Sequence, residues 1–243
     1  MKLSEASFRD LYHRFCVISH TVPHDFFGEE EPENNVSPNA ALAYPYIDRT
    51  AGLTFEVIAP AVLPSCGLLH DYALLEKLNS RYIVRAGGSE QMDVFFLRNQ
   101  EELRKRYRSH CETIDKGYSA GHEVEATRKI ESIDHLRHRA FPDDVQTALF
   151  LDDGAMELVW TRLKGTTDNG CLFGELLNTP YGKAELVAGD DIELGLCRDS
   201  EGSLRLFSRE SMAVNHHGRK RYESFKKRAQ SEAKQNSSKR RQS

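Results

Sequence analysis

Three pairs of adjacent aspartates are the residues in this sequence whose type best suits acid–base chemistry, namely Asp143-Asp144, Asp152-Asp153 and Asp190-Asp191. A general acid and a general base must converge on one substrate. Neighbouring residues of an extended chain point in opposite directions, so the two members of a pair cannot converge by themselves. All three pairs are typical of turns, and a hydrolase that combines the turns near Asp152 and Asp190 stays open as an alternative.

Two pairs of histidines have the spacing at which metal ligands share a helix face: His20 with His24, and His135 with His138. Pro23 interrupts a continuous helix between the first two. Basic residues surround the second pair and would repel a cation. No H-E-x-x-H motif and no closely spaced third ligand accompanies either pair. The sequence therefore predicts hydrogen-bonded or solvated histidines and no metal site.

The cysteine pattern and the missing motifs argue against several other kinds of site. Because the five cysteines are scattered and form no C-x-x-C pair, we expect free thiols in a reducing cytoplasm. The N-terminus lacks the pattern of a secretory signal peptide. The sequence contains no G-x-S-x-G motif and no glycine-rich phosphate-binding loop. These absences favour a protein without a cofactor and without enzymatic activity. The five are Cys16, Cys66, Cys111, Cys171 and Cys197.

The end of the chain is strongly basic. Between residues 216 and 243, ten lysines and arginines oppose only Glu223 and Glu232, which leaves a charge of +8. Because the whole chain carries −4, the preceding 215 residues carry −12. Few apolar residues remain here, so we predict a disordered tail. Clustered basic side chains neutralise phosphates or acidic surfaces. The residues predicted to bind nucleic acid or a partner are Arg219, Lys220, Arg221, Lys226, Lys227, Arg228, Lys239, Arg240 and Arg241.

The first half of the sequence alternates helix and strand patterns. Ser4 can cap a helix whose apolar residues recur every three or four positions and which ends before Pro23. Residues 23–50 contain four prolines and an acidic run, so we predict a long loop there. Strands are predicted at 53–58, 82–85 and 92–97, and helices at 68–78 and at 100–116, the latter capped by Asn99 and followed by Gly117.

The second half reads mainly as strands, with turn signals about every ten residues. A helix is predicted from residue 121 to about residue 139, and Pro142 lies in the turn that follows. Asp152-Asp153-Gly154 between two apolar runs is a specific signal for a β-hairpin. The spacing predicts a small barrel-like or twisted antiparallel sheet, with Trp160 in its core. Its strands are predicted at 145–151, 156–163, 171–177, 192–197 and 204–207.

Together these patterns predict an α+β fold in three parts. Residues 1–121 form a mixed α/β region that contains the irregular acidic loop at 23–50. Residues 122–212 form a β-rich module with a leading helix, and residues 213–243 form the basic tail. The first two parts contain enough apolar residues to bury a core, whereas the tail does not.

The β-rich module carries short motifs that resemble a known family. They are Met156-Glu157-Leu158-Val159-Trp160, the run Phe-Gly-Glu-Leu-Leu-Asn-Thr-Pro at 173–180, and Gly189-Asp190-Asp191-Ile192. Residues 139–212 thereby resemble the bacterial YegJ-like domain family, a grouping of unknown function. The resemblance implies a compact, strand-rich module and brings no established catalytic residue. On physical grounds Gly174 permits close packing in a strand, and Asn178 can form a turn before Pro180.

Two functions of different classes follow from these observations, with the hydrolase as a third alternative. The first is a non-catalytic protein-interaction or regulatory module that binds a protein partner in the cytoplasm. The second is auxiliary nucleic-acid binding by the basic tail, with contacts that weaken as salt rises. No apolar run approaches the roughly 18 residues that a membrane span needs, so we predict no membrane partner.

Overall fold

The computed structural model describes residues 1–23, 26, 38–63, 73–74, 78, 80–198 and 202–214. These residues separate into two compact units. Unit 1 consists of the described residues of Met1–Ser119 together with Arg139–Pro142, and unit 2 consists of Ala120–His138 together with the described residues between Asp143 and Val214. Unit 1 is built on an open antiparallel sheet and unit 2 on a closed barrel, and both contain helices. The predicted α+β class is confirmed.

Unit 1 contains a six-stranded antiparallel sheet with the order β4-β3-β2-β1-β6, in which β5 also pairs with β3. Helices α1, α2 and α3 belong to the same unit. The strands are β1 (Cys16–Ile18), β2 (Ala40–Asp48), β3 (Gly52–Val62), β4 (Ala73–Leu74), β5 (Tyr82–Arg85) and β6 (Val94–Phe96). The helices are α1 (Phe8–Leu11), α2 (Gln100–Arg106) and α3 (Arg108–Tyr118), and a 3-10 turn spans Leu3–Glu5.

Both faces of this sheet are covered by apolar residues. Helices α2 and α3 pack on one face, where Tyr44 and Tyr46 of β2 are fully buried. The N-terminal segment packs on the other face, where Phe55 of β3 is fully buried. A strand that is covered on both sides does not need the alternation of apolar and polar residues that a half-exposed strand shows. Strand β2 is buried along nearly its whole length for this reason.

The predicted loop at 23–50 is wrong at its end, because residues 40–48 form β2. Strand β3 is also longer than predicted and continues through Pro60. A proline in a sheet lacks one hydrogen-bond donor. On the side away from β2, strand β5 pairs with residues 54–57 of β3 and strand β4 with residues 61–62. Pro60 therefore lies in the gap between these two partners, where no ladder bond needs its N–H. The acidic run at 29–33 lies outside the described residues.

The predicted N-terminal helix is also wrong. The segment forms only the 3-10 turn and α1, and it then enters β1. His13 has a left-handed backbone, with φ of 56°, which ends the helical stretch. From Phe15 onward successive side chains enter opposite cores of the sheet, as in a strand. Of the helix predicted at 68–78, Ala73–Leu74 form strand β4, and most of the remainder lies outside the described residues.

The helix predicted at 100–116 is present but divided at Tyr107 into α2 and α3, and Gly117 lies inside α3 rather than after it. Asn99 occupies the N-cap position without a side-chain cap bond. Gln100 instead ties this end to β1, since its amide accepts from the Phe15 N–H at 2.8 Å and donates to the Phe15 carbonyl at 2.7 Å.

Unit 2 is a closed five-stranded barrel with the order β10-β11-β7-β8-β9, which confirms the predicted β-rich module. Strands β7 and β11 pair in parallel and all other neighbours are antiparallel. The predicted hairpin turn joins β7 to β8, where Gly154 has a φ of 85°. The strands are β7 (Asp144–Phe150), β8 (Met156–Thr166), β9 (Leu172–Leu176), β10 (Asp191–Arg198) and β11 (Leu204–Ser208).

Helical segments pack against the barrel, and Ile133 and Leu136 contribute to its core. The helix predicted from residue 121 to about residue 139 is divided into two shorter segments. These are α4 (His122–Arg128) and a separate 3-10 helix (Glu131–Leu136). Helix α4 lies against β8. After the last strand the chain forms α5 (Arg209–Val214), which packs against β7, β10 and β11.

Candidate functional site

Strands β7, β8 and β11 carry apolar side chains on the outer surface of the barrel. On β7 these are Ala148 and Phe150, which pair across the ladder with Leu158 and Met156 of β8. Residues opposite each other in an antiparallel ladder project from the same face. Phe207 of β11 extends this surface, because it pairs with Ala148 and its ring stacks on the Phe150 ring with centroids 5.9 Å apart. We call these five residues the outer apolar face.

Helix α5 covers one side of the outer apolar face. Ser211 of this helix accepts a hydrogen bond at its Oγ from the backbone N–H of Phe150, at 3.1 Å. The same hydroxyl donates to the carbonyl oxygen of Ser208 at 3.1 Å, which fixes its orientation. On this side Ala148, Phe150 and Phe207 are all buried. The described part of the helix ends at Val214.

The other side of the outer apolar face, on β8, is uncovered. The exposed fraction is 46% for Met156 and 42% for Leu158. Fully burying a large apolar side chain stabilises a protein or a complex by about 1.5–3 kcal/mol. A partner that buried the exposed parts of these two side chains would gain part of that free energy. These two residues are the uncovered part of a surface whose other half is already packed against a helix.

Trp160 lies on the same face of β8, two residues beyond Leu158. The prediction that it lies in the core is wrong, because alternation along β8 sends Val159 and Thr161 inward and leaves Trp160 half-buried outside. The Trp160 ring and the His138 ring are in a T-shaped arrangement, with centroids 5.1 Å apart and an angle of 76° between the planes. Trp160 is the only tryptophan in the chain, so its fluorescence reports on this surface.

Acidic residues border the uncovered side. Asp152 and Asp153 are exposed in the turn between β7 and β8. Glu157 of β8 holds the neighbouring loop, because its carboxylate accepts from the backbone N–H groups of Tyr181 and Gly182 at 2.9 and 3.0 Å. Up to residue 214, unit 2 contains eighteen acidic and nine basic residues. Of these residues, Asp152 and Asp153 place exposed carboxylates in the turn that precedes Met156, and Lys183 lies 4.0 Å from Asp152.

Asp143 and Asp144 do not form an acid–base site. Asp143 is buried and pairs with Arg128, which is also buried, at 2.7 Å. Asp144 pairs instead with Arg162 at 2.7 Å. Both contacts have two parallel N–H···O bonds, the arrangement that fixes a guanidinium against a carboxylate. The two carboxylates are thus held by different cations, and the first pair joins α4 to the start of β7.

In each of the other two aspartate pairs, one member stabilises a turn. Asp153 accepts a hydrogen bond from the Ala155 N–H at 2.9 Å, and Asp190 accepts one from the Val187 N–H at 2.9 Å. Asp191 pairs with a lysine of β8 at 2.6 Å. These contacts are typical of structural turn residues. They do not support the hydrolase hypothesis.

The histidines occupy separate positions. His20 Nε2 lies 2.7 Å from the hydroxyl of Tyr82, and burial lowers the pKa of His20. His135 Nε2 lies 2.9 Å from a backbone carbonyl oxygen, His138 contacts an aromatic ring, and His24 lies outside the described residues. Across the described part of the chain, no three His, Cys, Asp or Glu residues are placed to hold a metal ion.

Four of the five cysteines lie in the described residues, and each of these four is a free thiol. Cys16, Cys111 and Cys197 are buried, and burial raises the pKa of all three, that of Cys111 to about 11. Cys171 is half-buried. A thiol with a raised pKa carries little thiolate at neutral pH and is a poor nucleophile.

Unit 1 contains a polar cluster that the sequence patterns do not indicate. The Tyr44 hydroxyl donates to Asp115 Oδ1 at 3.0 Å, and the same carboxylate lies 3.7 Å from Arg104 and 3.5 Å from His13. Burial and the charge of Asp115 raise the pKa of Tyr44, so the phenol stays protonated at neutral pH. The cluster joins α2 and α3 to β2 and offers no activated nucleophile.

Two residues of the motifs at 156–160, 173–180 and 189–192 have clear structural roles in the barrel. A Cβ atom at Gly174 would collide with the carbonyl oxygen of Arg162 on β8, so the two strands approach too closely for any other residue. Asn178 has a role beyond the predicted turn, because its Oδ1 accepts from the Trp160 N–H at 2.8 Å. It thereby attaches the loop after β9 to β8.

The nine tail residues predicted to bind nucleic acid or a partner, between 219 and 241, all lie outside the described residues. Comparison with protein-family models, with curated proteins and with solved structures found no match. Among the helices that the structure describes, none has the length and apolar character needed to cross a membrane.

Proposed function

We propose that this protein is a non-catalytic interaction module of the cytoplasm and that unit 2 binds a protein partner through the uncovered side of the outer apolar face. The observation that carries the proposal is the exposure of Met156 and Leu158 on a face whose other half is packed under α5. A partner that covered this half would complete the packing of the face.

The partner's chemistry follows from the border of this surface. Asp152 and Asp153 flank the exposed apolar residues, and unit 2 has an excess of nine acidic residues up to residue 214. Opposite charges at the rim of an interface steer association and fix its register. We therefore propose that the partner presents a basic segment with apolar side chains on one face.

The experiment is a titration of the full-length protein with synthetic peptides, followed by Trp160 fluorescence. A basic amphipathic peptide is expected to change the emission, and an acidic peptide with the same apolar residues is not. Leu158→Ser should weaken binding about fivefold, since an exposed leucine buried at an interface contributes about 1 kcal/mol.

Leu196→Ser is the matched control. The exposed fraction of Leu196 is 40%, similar to the 42% of Leu158. Leu196 lies on β10, however, which does not pair with β8. Binding to this variant should equal binding to the wild type. The proposal is wrong if neither peptide binds, if both bind equally, or if the two leucine variants lose affinity to the same extent.

A second candidate function is nucleic-acid binding by the basic tail, which the +8 charge of residues 216–243 supports. Neutralising phosphates releases counterions, so the affinity should fall steeply as salt rises. Binding of RNA and DNA is measured across a salt series for the full-length protein and for a variant with Lys226, Lys227 and Arg228 changed to Gln. Equal affinities of the two proteins would remove this candidate.

We also propose that residues 139–212 are related to the YegJ-like domain family. The positions of Gly174 and Asn178 support this, because both residues of the quoted motifs have specific contacts within the barrel. If these motif residues have structural roles, Asn178→Asp should keep a stable barrel because it retains the acceptor oxygen. Gly174→Val should lose it because the added side chain collides with β8.

A further inference from the structure

The chain itself contains a segment with the properties that the partner surface requires. Residues 215–243 follow α5 directly, and the described chain ends at Val214 on the covered side of the outer apolar face. This segment carries ten basic and two acidic residues. Its aromatic residues are Tyr222 and Phe225, three positions apart. It is therefore both basic and able to supply apolar side chains.

The distances along the chain allow these aromatic residues to reach the uncovered side. Ser211 Oγ accepts a hydrogen bond from the backbone N–H of Phe150, whose cross-strand partner is Met156. Opposite residues of a ladder lie about 5 Å apart, so α5 is anchored one strand away from the exposed side chains. Tyr222 follows Val214 by eight residues, which can span up to about 26 Å when extended.

The charges of the two parts are opposite and nearly equal. Unit 2 carries −9 up to residue 214, and residues 216–243 carry +8. A tethered segment is held at a high effective concentration near its binding surface, so even a weak contact is well populated. A free peptide of the same sequence would not have this advantage.

From these observations we propose that residues 215–243 bind, in the same molecule, the uncovered side of the outer apolar face, with Tyr222 and Phe225 against Met156 and Leu158. The proposal rests on the proposed function, because it assigns the tail as an internal competitor at the partner surface. An external partner must then displace the tail before it can bind.

The first test is limited trypsin digestion of the full-length protein, with cleavage at Lys226, Lys227 and Arg228 followed by mass spectrometry. A bound tail is protected, so Leu158→Ser should accelerate these cleavages, whereas the matched Leu196→Ser should not. Raising the NaCl concentration from about 50 mM to about 500 mM should accelerate them too, because salt screens the opposite charges. Equal cleavage rates for the two variants and for the two salt concentrations overturn the proposal.

Digestion at several protein concentrations, and with RNA or DNA added, distinguishes binding of the tail within its own molecule from other locations of the tail. If the tail binds within its own molecule, its protection from trypsin does not depend on protein concentration. Protection that increases with protein concentration assigns the tail to a second copy of the chain and overturns the proposal. Cleavage that is slowed only when RNA or DNA is added, and that does not respond to Leu158→Ser, assigns the tail to nucleic acid and also overturns it.

The second test separates this proposal from the proposed function. The basic amphipathic peptide is titrated into the wild type and into the full-length Tyr222→Ser, Phe225→Ser variant, with Ala229→Ser, Ala233→Ser as the matched control. Binding about tenfold weaker in the wild type than in the aromatic variant corresponds to a tail that is bound in about 90% of molecules and supports both proposals. Equal binding by both proteins keeps the partner surface and overturns the tail proposal. No binding by either, with protection that depends on Leu158, overturns the proposed function alone.

Discussion

At the scale of single residues, two glycines of different context illustrate how the backbone limits the sequence. Gly174 lies where a Cβ would meet the Arg162 carbonyl oxygen, so the two strands can only approach because no side chain is present. Gly117 lies inside α3, and no atom is within reach of an added Cβ. The first glycine is required by packing, whereas the second only adds flexibility to a helix.

Gly174→Ala should therefore lower the free energy of unfolding by about 1–3 kcal/mol, because a rigid backbone atom must move. Gly117→Ala should raise it by up to about 1 kcal/mol, since alanine restricts the unfolded chain and suits a helix. Urea denaturation checks both: Trp160 fluorescence follows unit 2, and far-ultraviolet circular dichroism follows the helices. Opposite shifts of the midpoints are expected, and destabilisation by both substitutions would contradict this interpretation.

His20 should make stability depend on pH. Burial lowers its pKa below the ordinary value of 6.5, so the unfolded chain binds a proton at this site more readily than the folded chain. Its effect on stability is absent above pH 6.5 and becomes destabilising as the pH falls through 6.5 towards the lowered pKa. Glutamine is the matched replacement, because its longer side chain can bring an amide group towards the position of His20 Nε2, which lies 2.7 Å from the Tyr82 hydroxyl.

In urea denaturation, the wild type should lose more stability than His20→Gln between pH 7.5 and pH 5.5. The two proteins should differ little in their pH dependence above pH 7.5, which serves as the internal control. An identical loss on acidification in both proteins would show that other groups account for it.

At the scale of elements, a buried ion pair holds α4 to the barrel. Arg128 of this helix pairs with Asp143 at the start of β7, and its other side contacts Glu125 at 2.6 Å. Removing one member of a buried pair leaves an uncompensated charge and costs about 3–5 kcal/mol. Replacing both members with apolar residues of similar volume avoids that cost.

We therefore expect Arg128→Met and Asp143→Leu each to destabilise unit 2 strongly, and the double variant to be more stable than either. Denaturation followed by Trp160 fluorescence measures all three. Lys183→Met is the matched control in the same unit, because the pair of Lys183 with Asp152 is largely exposed and should contribute about 0–1 kcal/mol. Additive losses in the double variant would mean that the two residues act independently.

Strands with one exposed face can be predicted from the sequence more closely than strands that are covered on both faces. Strand β8 alternates more buried and more exposed residues, which is the pattern of a strand with one face towards solvent. The predicted strand at 156–163 therefore matches most of β8. Strand β2 is covered on both faces and contains a proline, so it lacks that pattern, and its sequence predicts a loop instead. The division at Tyr107 and the left-handed His13 depend on tertiary contacts, which a local pattern does not contain.

The candidate surface was only partly visible in the sequence. The hairpin signal at 152–154 and the opposite charges of body and tail were predicted from residue types alone. Exposure of Met156 and Leu158 was not, because alternation shows that they share a face but not which face is covered. Only the position of α5 over Phe150 shows that one half of the face is packed and the other is not.

At the scale of the whole molecule, the thiols should differ in reactivity across both units. Cys16, Cys111 and Cys197 are buried with raised pKa values, whereas Cys171 is half-buried. A thiol with a pKa of about 11 is about one part in a thousand thiolate at pH 8. Alkylation of the native protein, mapped by mass spectrometry of peptides, should modify Cys171 before the other three described cysteines.

Denaturation in urea should bring the alkylation rates of all four cysteines close together, which controls for intrinsic differences between the peptides. Modification of native Cys111 as fast as Cys171 would contradict the burial of the α3 thiol. The measurement uses the unaltered chain and therefore tests the packing of both units at once.

The way in which the chain returns to unit 1 has a consequence for its synthesis. The Leu53 N–H donates to the carbonyl oxygen of Ala140 at 2.7 Å, and Arg139–Pro142 belong to unit 1 although the chain has already entered unit 2 at Ala120. On a ribosome that adds about 5–20 residues each second, the last piece of unit 1 follows residue 119 by about 1–5 s. The first unit to be translated is thus completed only after part of the second has been made, and a nascent chain that stops at residue 119 ends before that piece has been added.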